Sequence, residues 1–550
     1  MLNLEKSLRN KHILVLDDMV EARSALKAML TQFGANKIDV VNNGWEAAQL
    51  IAEKDYDIIL SDYNLGPGKD GQQVLEEARY TNRLKSSALF ILVTGENAID
   101  MVMGALEYEP DNYITKPFTL NTLKERLIRI LKIKNELSEI DQAIDAKQPD
   151  QAIALARAKL AEKPNWLVPL TRVLGKLYLQ LEHYQEAHDL YKNLLDKRPV
   201  AWAKLGYAIS LYRLGKNEEA LAVLSQTIQE HPRYVQCYDW KATILQELNR
   251  HEDAQEQLEQ AVNISPKAVL RQMSLGQLAL KNRDFRAAEI AYDQAIRLGR
   301  FSCYKNAQNY LNYAVSAEHS LINSDDNTSL SAHKLVQKTL KVLDELTQDY
   351  GEQSTIKFDA LIAASNLYLA SKNDEKASEK ALDAISLLDD LVSPDLKRML
   401  QMADALVRTQ QHIKAQDVVN EVRKHPLTAE IEGLLQNIEK RIDRSVIEAH
   451  LSSLNSQGME LFSQKDYVQA IALFDQAAQD RQASISVLMN AIQAKISLME
   501  NDGVNHTHLQ DCRRYIDKIG VITQDDSRFE RFERLKNAFV KLWKNASEPL

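Results

Sequence analysis

The sequence predicts an α/β doubly wound domain with a five-stranded parallel sheet, followed by an all-α solenoid of helical repeats. Three observations support this prediction. Five short β-branched runs alternate with helical patterns over the first part of the chain, up to residue 117. No comparable run follows them. Beyond residue 133, small residues, large residues and prolines recur with a period near 34 residues, which indicates stacked pairs of helices.

The composition is that of a folded, helix-rich protein. At roughly 150 residues per domain, the length of 550 residues suggests three or four domain-sized units. Apolar residues make up 45% of the chain and charged residues 26%, a balance that argues against bulk disorder. Only 17 glycines and 12 prolines are present. Because these residues interrupt helices, their scarcity favours long helices.

The charge balance argues against nucleic acid as a general ligand. Lys and Arg number 68 and Asp and Glu number 77, which gives a net charge of −9. A protein that binds phosphate backbones carries a basic surface instead. The basic stretch 124–134 is amphipathic, and we interpret it as the charged face of a helix. No DNA partner is therefore expected.

The sequence predicts a cytoplasmic protein without a membrane span. The first ten residues lack the apolar core of a signal peptide, and the chain contains no long apolar run. Cys237, Cys303 and Cys512 are far apart and form no metal-binding spacing. We expect three reduced thiols, as is usual in the cytoplasm.

Five runs account for the predicted sheet: residues 12–18, 38–41, 56–62, 89–95 and 112–117. Each run is rich in β-branched residues and short enough for one strand. Helical patterns separate them, which predicts parallel strands with helices on both faces of the sheet. The nearly continuous apolar character of the runs fits strands that are buried on both sides.

A stretch without Gly or Pro, 119–148, follows the last strand. Its apolar residues are spaced by three or four, as in a helix. They are Leu123, Leu127, Ile130, Ile133, Leu137, Ile140 and Ile144. The pattern fits one continuous helix or two helices with a break near Lys132. The stripe could pair two chains as a coiled coil, or pack first on the sheet and then on the first repeat helix.

Prolines mark the helical repeats. Pro164, Pro199, Pro232 and Pro266 are separated by 35, 33 and 34 residues, and an alanine lies 12 residues before each. Small residues let two helices approach, large residues fill the space beside them, and proline ends the second helix. The spacing resembles the tetratricopeptide repeat. Four units between about 170 and 300 match it well, and 135–165 and 455–480 match it more weakly.

The expected domains are an α/β domain at 10–131, helical repeats at 132–300, degenerate repeats at 301–450, and a repeat unit with capping helices at 451–550. Stacked repeats expose a concave face that usually binds protein. The geometry of the repeat family points to seven candidate residues for this groove: Arg172, Lys176, Tyr212, Asp239, Thr243, Gln246 and Gln277.

Five polar residues lie where strands of the predicted sheet end. Asp17 and Asp18 end the first strand, Asp62 the third, Thr94 the fourth and Lys116 the fifth. The carboxyl ends of parallel strands meet at one edge, so these side chains should converge. Three adjacent carboxylates require a hard cation, and oxygen ligands suit Mg²⁺. Such a set is suited to phosphoryl transfer onto the Asp62 carboxylate.

These residues closely resemble the receiver domain of two-component response regulators over residues 10–131. The resemblance implies that Asp62 accepts a phosphoryl group from a histidine kinase or a phosphotransfer protein. It also implies that Mg²⁺ is ligated by Asp18, Asp62 and the backbone carbonyl of Asn64, with Asp17 assisting through water.

The resemblance also assigns roles to the other strand-end residues. Lys116 is expected to bind the phosphoryl group. Thr94 and Tyr113 are expected to form the switch pair that moves on phosphorylation. A cis peptide bond is usual between Lys116 and the proline that follows it.

Asn64 and Glu96 occupy positions that tune the lifetime of the phosphorylated state in this family. Their polar and acidic character predicts fairly quick self-dephosphorylation. One departure from the commonest family spacing is Gly66, inserted in the loop after Asp62. A glycine-rich loop can absorb such an insertion.

Beyond residue 133 the sequence contains no helix-turn-helix, nucleotide-binding loop or metalloprotease motif. We therefore predict a signalling protein that is not itself an enzyme. Phosphorylation of Asp62 would regulate the binding of a protein ligand in the repeat groove. The alternative is a phosphate sink, in which the repeats dock the receiver to a kinase or a sibling regulator and no separate output exists.

Overall fold

The computed structural model describes residues 4–95, 110–323, 330–387 and 396–547. The chain forms two compact units, Met1–Gly351 and Glu352–Leu550. The first contains the sheet and most of the helical repeats. The second is all-helical in its described residues.

The five predicted strands form one sheet. They are β1 (His12–Leu16), β2 (Lys37–Val41), β3 (Ile58–Asp62), β4 (Leu89–Thr94) and β5 (Asn112–Thr115). The strand order is β2-β1-β3-β4-β5, and every neighbouring pair is parallel. The predicted doubly wound fold is thus confirmed.

Helices cover both faces of this sheet, as the continuously apolar strands require. Along β1, Ile13 and Val15 face one core, whereas Leu14 and Leu16 face the other. Before β5, the described part of this region contains the helices α1 (Leu4–Leu8), α2 (Val20–Gln32), α3 (Gly44–Glu53) and α4 (Gly71–Tyr80).

Helix α5 (Leu120–Asp145) joins the sheet domain to the repeats without a break. Its first half packs on the sheet through Leu123 and Leu127. Its second half places Leu137 and Ile140 in the core of the first repeats. The apolar stripe is therefore used within the chain, and the structure gives no support to the homodimer that it could have formed.

Paired helices continue the first unit. They are α6 (Pro149–Glu162), α7 (Leu167–Gln180), α8 (Tyr184–Leu195), α9 (Ala201–Arg213), α10 (Asn217–Glu230), α11 (Val235–Glu247), α12 (His251–Ile264), α13 (Val269–Lys281), α14 (Phe285–Gly299), α15 (Ala307–Ile322) and α16 (Leu330–Tyr350). The four well-matched repeats are the hairpins α7–α8, α9–α10, α11–α12 and α13–α14.

Small and large residues meet in these hairpins as the repeat pattern predicts. The Tyr191 ring lies between Gly175 and Gly206, and the Tyr292 ring lies against Gly276. A Cβ atom at any of these glycines would overlap the tyrosine ring. The glycines are therefore required by close helix packing rather than by backbone conformation.

The turn between α5 and α6 and the turn inside each of the four hairpins contain a residue with positive φ. These residues are Lys147 (57°), Glu182 (62°), Gly215 (79°), Asn249 (58°) and Arg283 (60°). The left-handed residue ends one helix and directs the chain into the next. Four of the five are not glycine. The glycine that often marks the end of a helix therefore does not reveal these left-handed turns in the sequence.

The second unit contains nine helices within its described residues. They are α17 (Ser354–Ala370), α18 (Asp374–Ile385), α19 (Leu396–Arg408), α20 (His412–Val422), α21 (Ala429–Ser463), α22 (Tyr467–Gln479), α23 (Ile485–Asp502), α24 (His506–Ile519) and α25 (Phe529–Ser547). Left-handed turns recur at Lys372, Gln410 and Lys465. Helix α21 spans residues 450 and 451, where the sequence analysis placed a domain boundary.

A buried charge network stabilises the end of the second unit. The Lys495 side chain is fully buried and donates to Asp475 at 2.7 Å and Asp511 at 2.9 Å. Tyr515 donates a further hydrogen bond to Asp475 at 2.9 Å. Because the buried Lys495 ammonium has two carboxylate partners, the network avoids the cost of an isolated buried ion.

Candidate functional site

Three carboxylates gather at the carboxyl edge of the sheet. Asp17 and Asp18 follow β1, and Asp62 is the last residue of β3. One carboxylate oxygen of each lies within 4.8 Å of the others. Asp17 is fully buried and Asp62 is 8% exposed, whereas Asp18 is open to solvent. The sheet topology thus brings these residues together as predicted.

Lys116 reaches the two buried carboxylates from the end of β5. Its Nζ donates to Asp17 Oδ2 at 2.6 Å and to Asp62 Oδ2 at 2.7 Å. The second oxygen of Asp17 accepts a hydrogen bond from the Met19 backbone N–H at 2.9 Å. The bond between Lys116 and Pro117 is cis, as the resemblance implies.

The protonation equilibria of Asp62 and Lys116 reflect this pairing. Burial raises the pKa of Asp62, and the hydrogen bond and charge of Lys116 act against that rise. Burial by itself would lower the pKa of Lys116, but the hydrogen bonds to Asp17 and Asp62 outweigh it, so the pKa of Lys116 is raised. Lys116 is therefore held as a cation.

The remaining predicted residues occupy different environments. Thr94 ends β4 and is buried. Tyr113 lies on β5 and is 42% exposed. Asn64 is exposed, and its side-chain oxygen accepts a hydrogen bond from the backbone N–H of Gly66 at 3.3 Å. Glu96 lies outside the described residues.

The loop after Asp62 leads directly into α4. Asp70 caps this helix by accepting from the Gln73 backbone N–H at 2.8 Å, and the Gln73 side chain accepts from the Asp70 backbone N–H at 3.1 Å. A Cβ atom at Gly71 would overlap the backbone carbonyl of Asp62. Sequence analysis did not single out Gly71, although it fixes the approach of α4 to Asp62.

A second candidate site is a groove of 340 Å³ in the repeats. It is lined by Gln236, Asp239, Ala242, Thr243, Gln246, Leu258, Ala268, Leu270, Arg271 and Ser274. Three predicted groove residues, Asp239, Thr243 and Gln246, are thus brought together. Helices α11 and α13 supply most of the lining.

The other four predicted groove residues are not part of this lining. Tyr212 is buried in the core and bonds to Glu247, because its ring fills space between helices. Arg172 lies over the Trp202 ring, 5.5 Å from its centroid. Lys176 and Gln277 are exposed elsewhere.

Sequence analysis missed Arg271, which shapes the groove. Its guanidinium group donates to Asp239 at 2.8 and 2.7 Å, and it is 6% exposed. It also donates to the Ser265 carbonyl at 3.0 Å. A bidentate pair of this kind fixes both side chains. Since its partner lies 32 residues away, no local pattern reveals it.

Comparison with known proteins identifies both regions. Residues 13–128 match the response regulator receiver domain. Residues 172–235 and 241–302 match the tetratricopeptide repeat. The two descriptions agree with the sheet domain and with the four best hairpins. Neither family is a family of catalytic enzymes.

A curated relative is the chemotaxis protein CheY-3 of Vibrio cholerae, which is 31% identical over 124 residues. The match covers 22% of this chain and 94% of the relative. The chain therefore belongs to the response regulator receiver family, with tetratricopeptide repeats after the receiver domain.

Two solved structures show similarity to one region each. A tetratricopeptide repeat protein of Parabacteroides merdae is 13% identical, covers 48% of this chain and 96% of its own, and has a TM-score of 0.29. The receiver domain of a sensor histidine kinase from Pseudomonas aeruginosa, solved with magnesium in its active-site cleft, is 25% identical. It covers 22% of this chain and 98% of its own, with a TM-score of 0.20.

Within the described residues, no helix has both the length and the apolarity that a bilayer crossing requires.

Replacing Lys116 tests the electrostatic account of the site. In metal-free buffer, Lys116→Met is expected to lower the free energy of unfolding of the receiver by about 3 kcal/mol, because it leaves buried carboxylates without their cation. Urea unfolding followed by amide hydrogen exchange of β1 and β3 measures this change. Lys124→Met, at an exposed position of α5, should change it by less than about 0.5 kcal/mol. Equal losses in the two variants would contradict the account.

Proposed function

We propose that Asp62 accepts a phosphoryl group from a histidine kinase or a phosphotransfer protein, and that the repeats bind a protein partner in response. The observation that carries the first part is the cluster of the Asp17, Asp18 and Asp62 carboxylates, two of which, Asp17 and Asp62, accept hydrogen bonds from the Nζ of Lys116. Three carboxylates and one close cation form the charge pattern that phosphoryl transfer onto a carboxylate requires.

The residues present fit Mg²⁺. Three carboxylate oxygens lie within 4.8 Å of one another, and the exposed position of Asp18 leaves room for water ligands, which this ion retains. Asp18, Asp62 and the backbone carbonyl of Asn64 would hold the ion, with Asp17 acting through water. When bound, magnesium neutralises charge on the carboxylates and on the phosphoryl oxygens.

The other roles in phosphoryl transfer fall to side chains of the receiver. An oxygen of Asp62 forms a bond to phosphorus while the bond from phosphorus to the donor histidine nitrogen breaks, and the imidazole leaves with the electron pair. Lys116 already contacts the Asp62 carboxylate and would balance the charge that develops there. Thr94 offers a hydroxyl at the neighbouring strand end. Asn64 stands at the exposed side, where it would influence the approach of water.

The repeats are proposed to bind protein through the groove formed by α11 and α13. Leu258 and Leu270 supply apolar surface, and Thr243 and Gln246 supply hydrogen-bonding groups beside it. Leu270 is 45% exposed, so its side chain is accessible to a partner. A lining of this kind suits a protein segment that inserts an apolar side chain and pairs its backbone with the polar groups.

Labelling with a small phosphodonor tests the acceptor assignment. The full chain is incubated with acetyl phosphate and Mg²⁺, and phosphorylation is measured by intact mass and by separation on a phosphate-binding gel. We expect Asp62→Asn to abolish labelling and chelation of Mg²⁺ to reduce it at least tenfold. Asp55→Asn, which removes an exposed acid outside the site, should label normally. Full labelling of the Asp62→Asn chain would contradict the proposal.

A groove substitution tests the output. The full chain is used to capture partners from its native lysate, with and without beryllofluoride as a phosphoryl mimic. We expect one protein to be captured at least threefold better in one of these states and to be lost in Leu270→Glu. Ile290→Glu, at a comparably exposed residue outside the groove lining, should retain it. Equal capture of a histidine kinase or another regulator in every state would favour the phosphate sink instead.

A further inference from the structure

Helix α4 of the receiver is buried on two sides. Val74, Leu75 and Ala78 pack on the sheet, as expected for a receiver helix. However, Gln72 and Glu76 are also buried, at 5% and 2% exposure. A buried glutamate requires a partner, so a second surface must cover this side of the helix.

The covering surface comes from the repeats. The Ser302 hydroxyl donates to Glu76 Oε2 at 2.6 Å, a buried hydrogen bond between residues 226 positions apart. The Gln73 side-chain amide donates to the backbone carbonyl of Leu298 at 3.2 Å. Both repeat residues lie where α14 ends and the chain turns towards α15. These two hydrogen bonds are thus made by one short segment.

Aromatic side chains form the rim of the same contact. The Trp45 and Phe301 rings meet edge to face with centroids 6.0 Å apart. The Tyr80 and Tyr304 rings also meet edge to face, with centroids 5.5 Å apart. Lys69 is buried beneath Trp45, with its Nζ 4.5 Å from the ring centroid. Such geometry is favourable for ring pairs and for a cation over a ring.

The contact reaches the residue next to the phosphoacceptor. Tyr63 follows Asp62 and is buried, and the Lys267 ammonium lies 5.6 Å from its ring centroid. The Tyr63 hydroxyl also donates to the buried Gln72 at 3.1 Å. The start of the loop between β3 and α4 is therefore in contact with the repeats through Lys267.

Lys267 also connects this contact to the groove. It lies two residues before α13, and the next residues along the chain, Ala268, Leu270 and Arg271, line the groove. A movement of the loop after Asp62 would act on Lys267 and hence on the start of α13. The proposed route thus runs from Asp62 through Tyr63 and Lys267 to the residues that line the groove.

We propose that residues 298–304 together with Lys267 form an internal docking surface for the receiver, and that docking is linked to the state of Asp62. The linkage rests on the proposed phosphorylation of that residue. The docked arrangement is that of an unmodified Asp62 carboxylate, whose Oδ2 is taken by Lys116. The repeats restrain Tyr63 and α4 beside Asp62 in this arrangement. Docking therefore opposes a modification that requires the loop after Asp62 to move, and release of the dock favours it. By thermodynamic linkage, modification of Asp62 must weaken docking by the same factor by which docking weakens modification.

The test uses the full chain and a repeat-side variant, Phe301→Ala/Ser302→Ala, which leaves every receiver residue in place. Amide hydrogen exchange of Gly71–Tyr80 reports whether the dock has opened. Titration calorimetry with beryllofluoride and Mg²⁺ reports affinity at Asp62. Phe285→Ala is the control, since this aromatic residue stacks on His319 and touches no receiver residue in the described contacts.

We expect faster exchange in Gly71–Tyr80 and beryllofluoride binding about fivefold tighter in the double variant, with the control unchanged. Unaltered exchange would overturn the docking surface. Faster exchange with unchanged or weaker binding would overturn the linkage while leaving the proposed function intact. Absence of beryllofluoride binding in every chain would instead refute the proposed function, and the linkage with it.

Discussion

The pairing of Lys116 with Asp17 and Asp62 is the interaction on which the site depends. It joins the ends of β1, β3 and β5 across the sheet, at 2.6 and 2.7 Å. Without a cation, two buried carboxylates at one sheet edge would repel each other and disfavour the fold. The same charge balance makes the edge suitable for a phosphoryl group. Stability and proposed chemistry therefore have one physical origin.

The receiver is attached to the repeats in two ways. Helix α5 passes from the receiver core into the repeat core without interruption. The segment around Ser302 returns from the fourth hairpin and covers α4. A domain held at both a shared helix and a distant loop cannot move without affecting the repeats between them. Beside Asp62, Lys267 lies 5.6 Å from the ring centroid of Tyr63, and the next residue along the chain, Ala268, lines the groove.

Much of the fold and of the site could be predicted because their signals are local. Strand-end residues such as Asp62 and Lys116 are identified by what precedes them, and the small–large pattern around Tyr191 repeats at fixed spacing. What could not be predicted depends on pairing between distant residues. No repeating pattern in the sequence corresponds to the pairing of Arg271 with Asp239 or of Ser302 with Glu76. Tyr212 had the right spacing for the groove, but its large ring is buried between helices.

The most direct test of the central claim is amide hydrogen exchange of the unaltered full chain with and without beryllofluoride and Mg²⁺. The account predicts faster exchange in residues 298–305 and at the start of α13 when the mimic is bound, because the dock loosens. It predicts no change in α23 and α24 of the second unit. Changes confined to the receiver residues around Asp62 would contradict the claim that the repeats respond to the receiver.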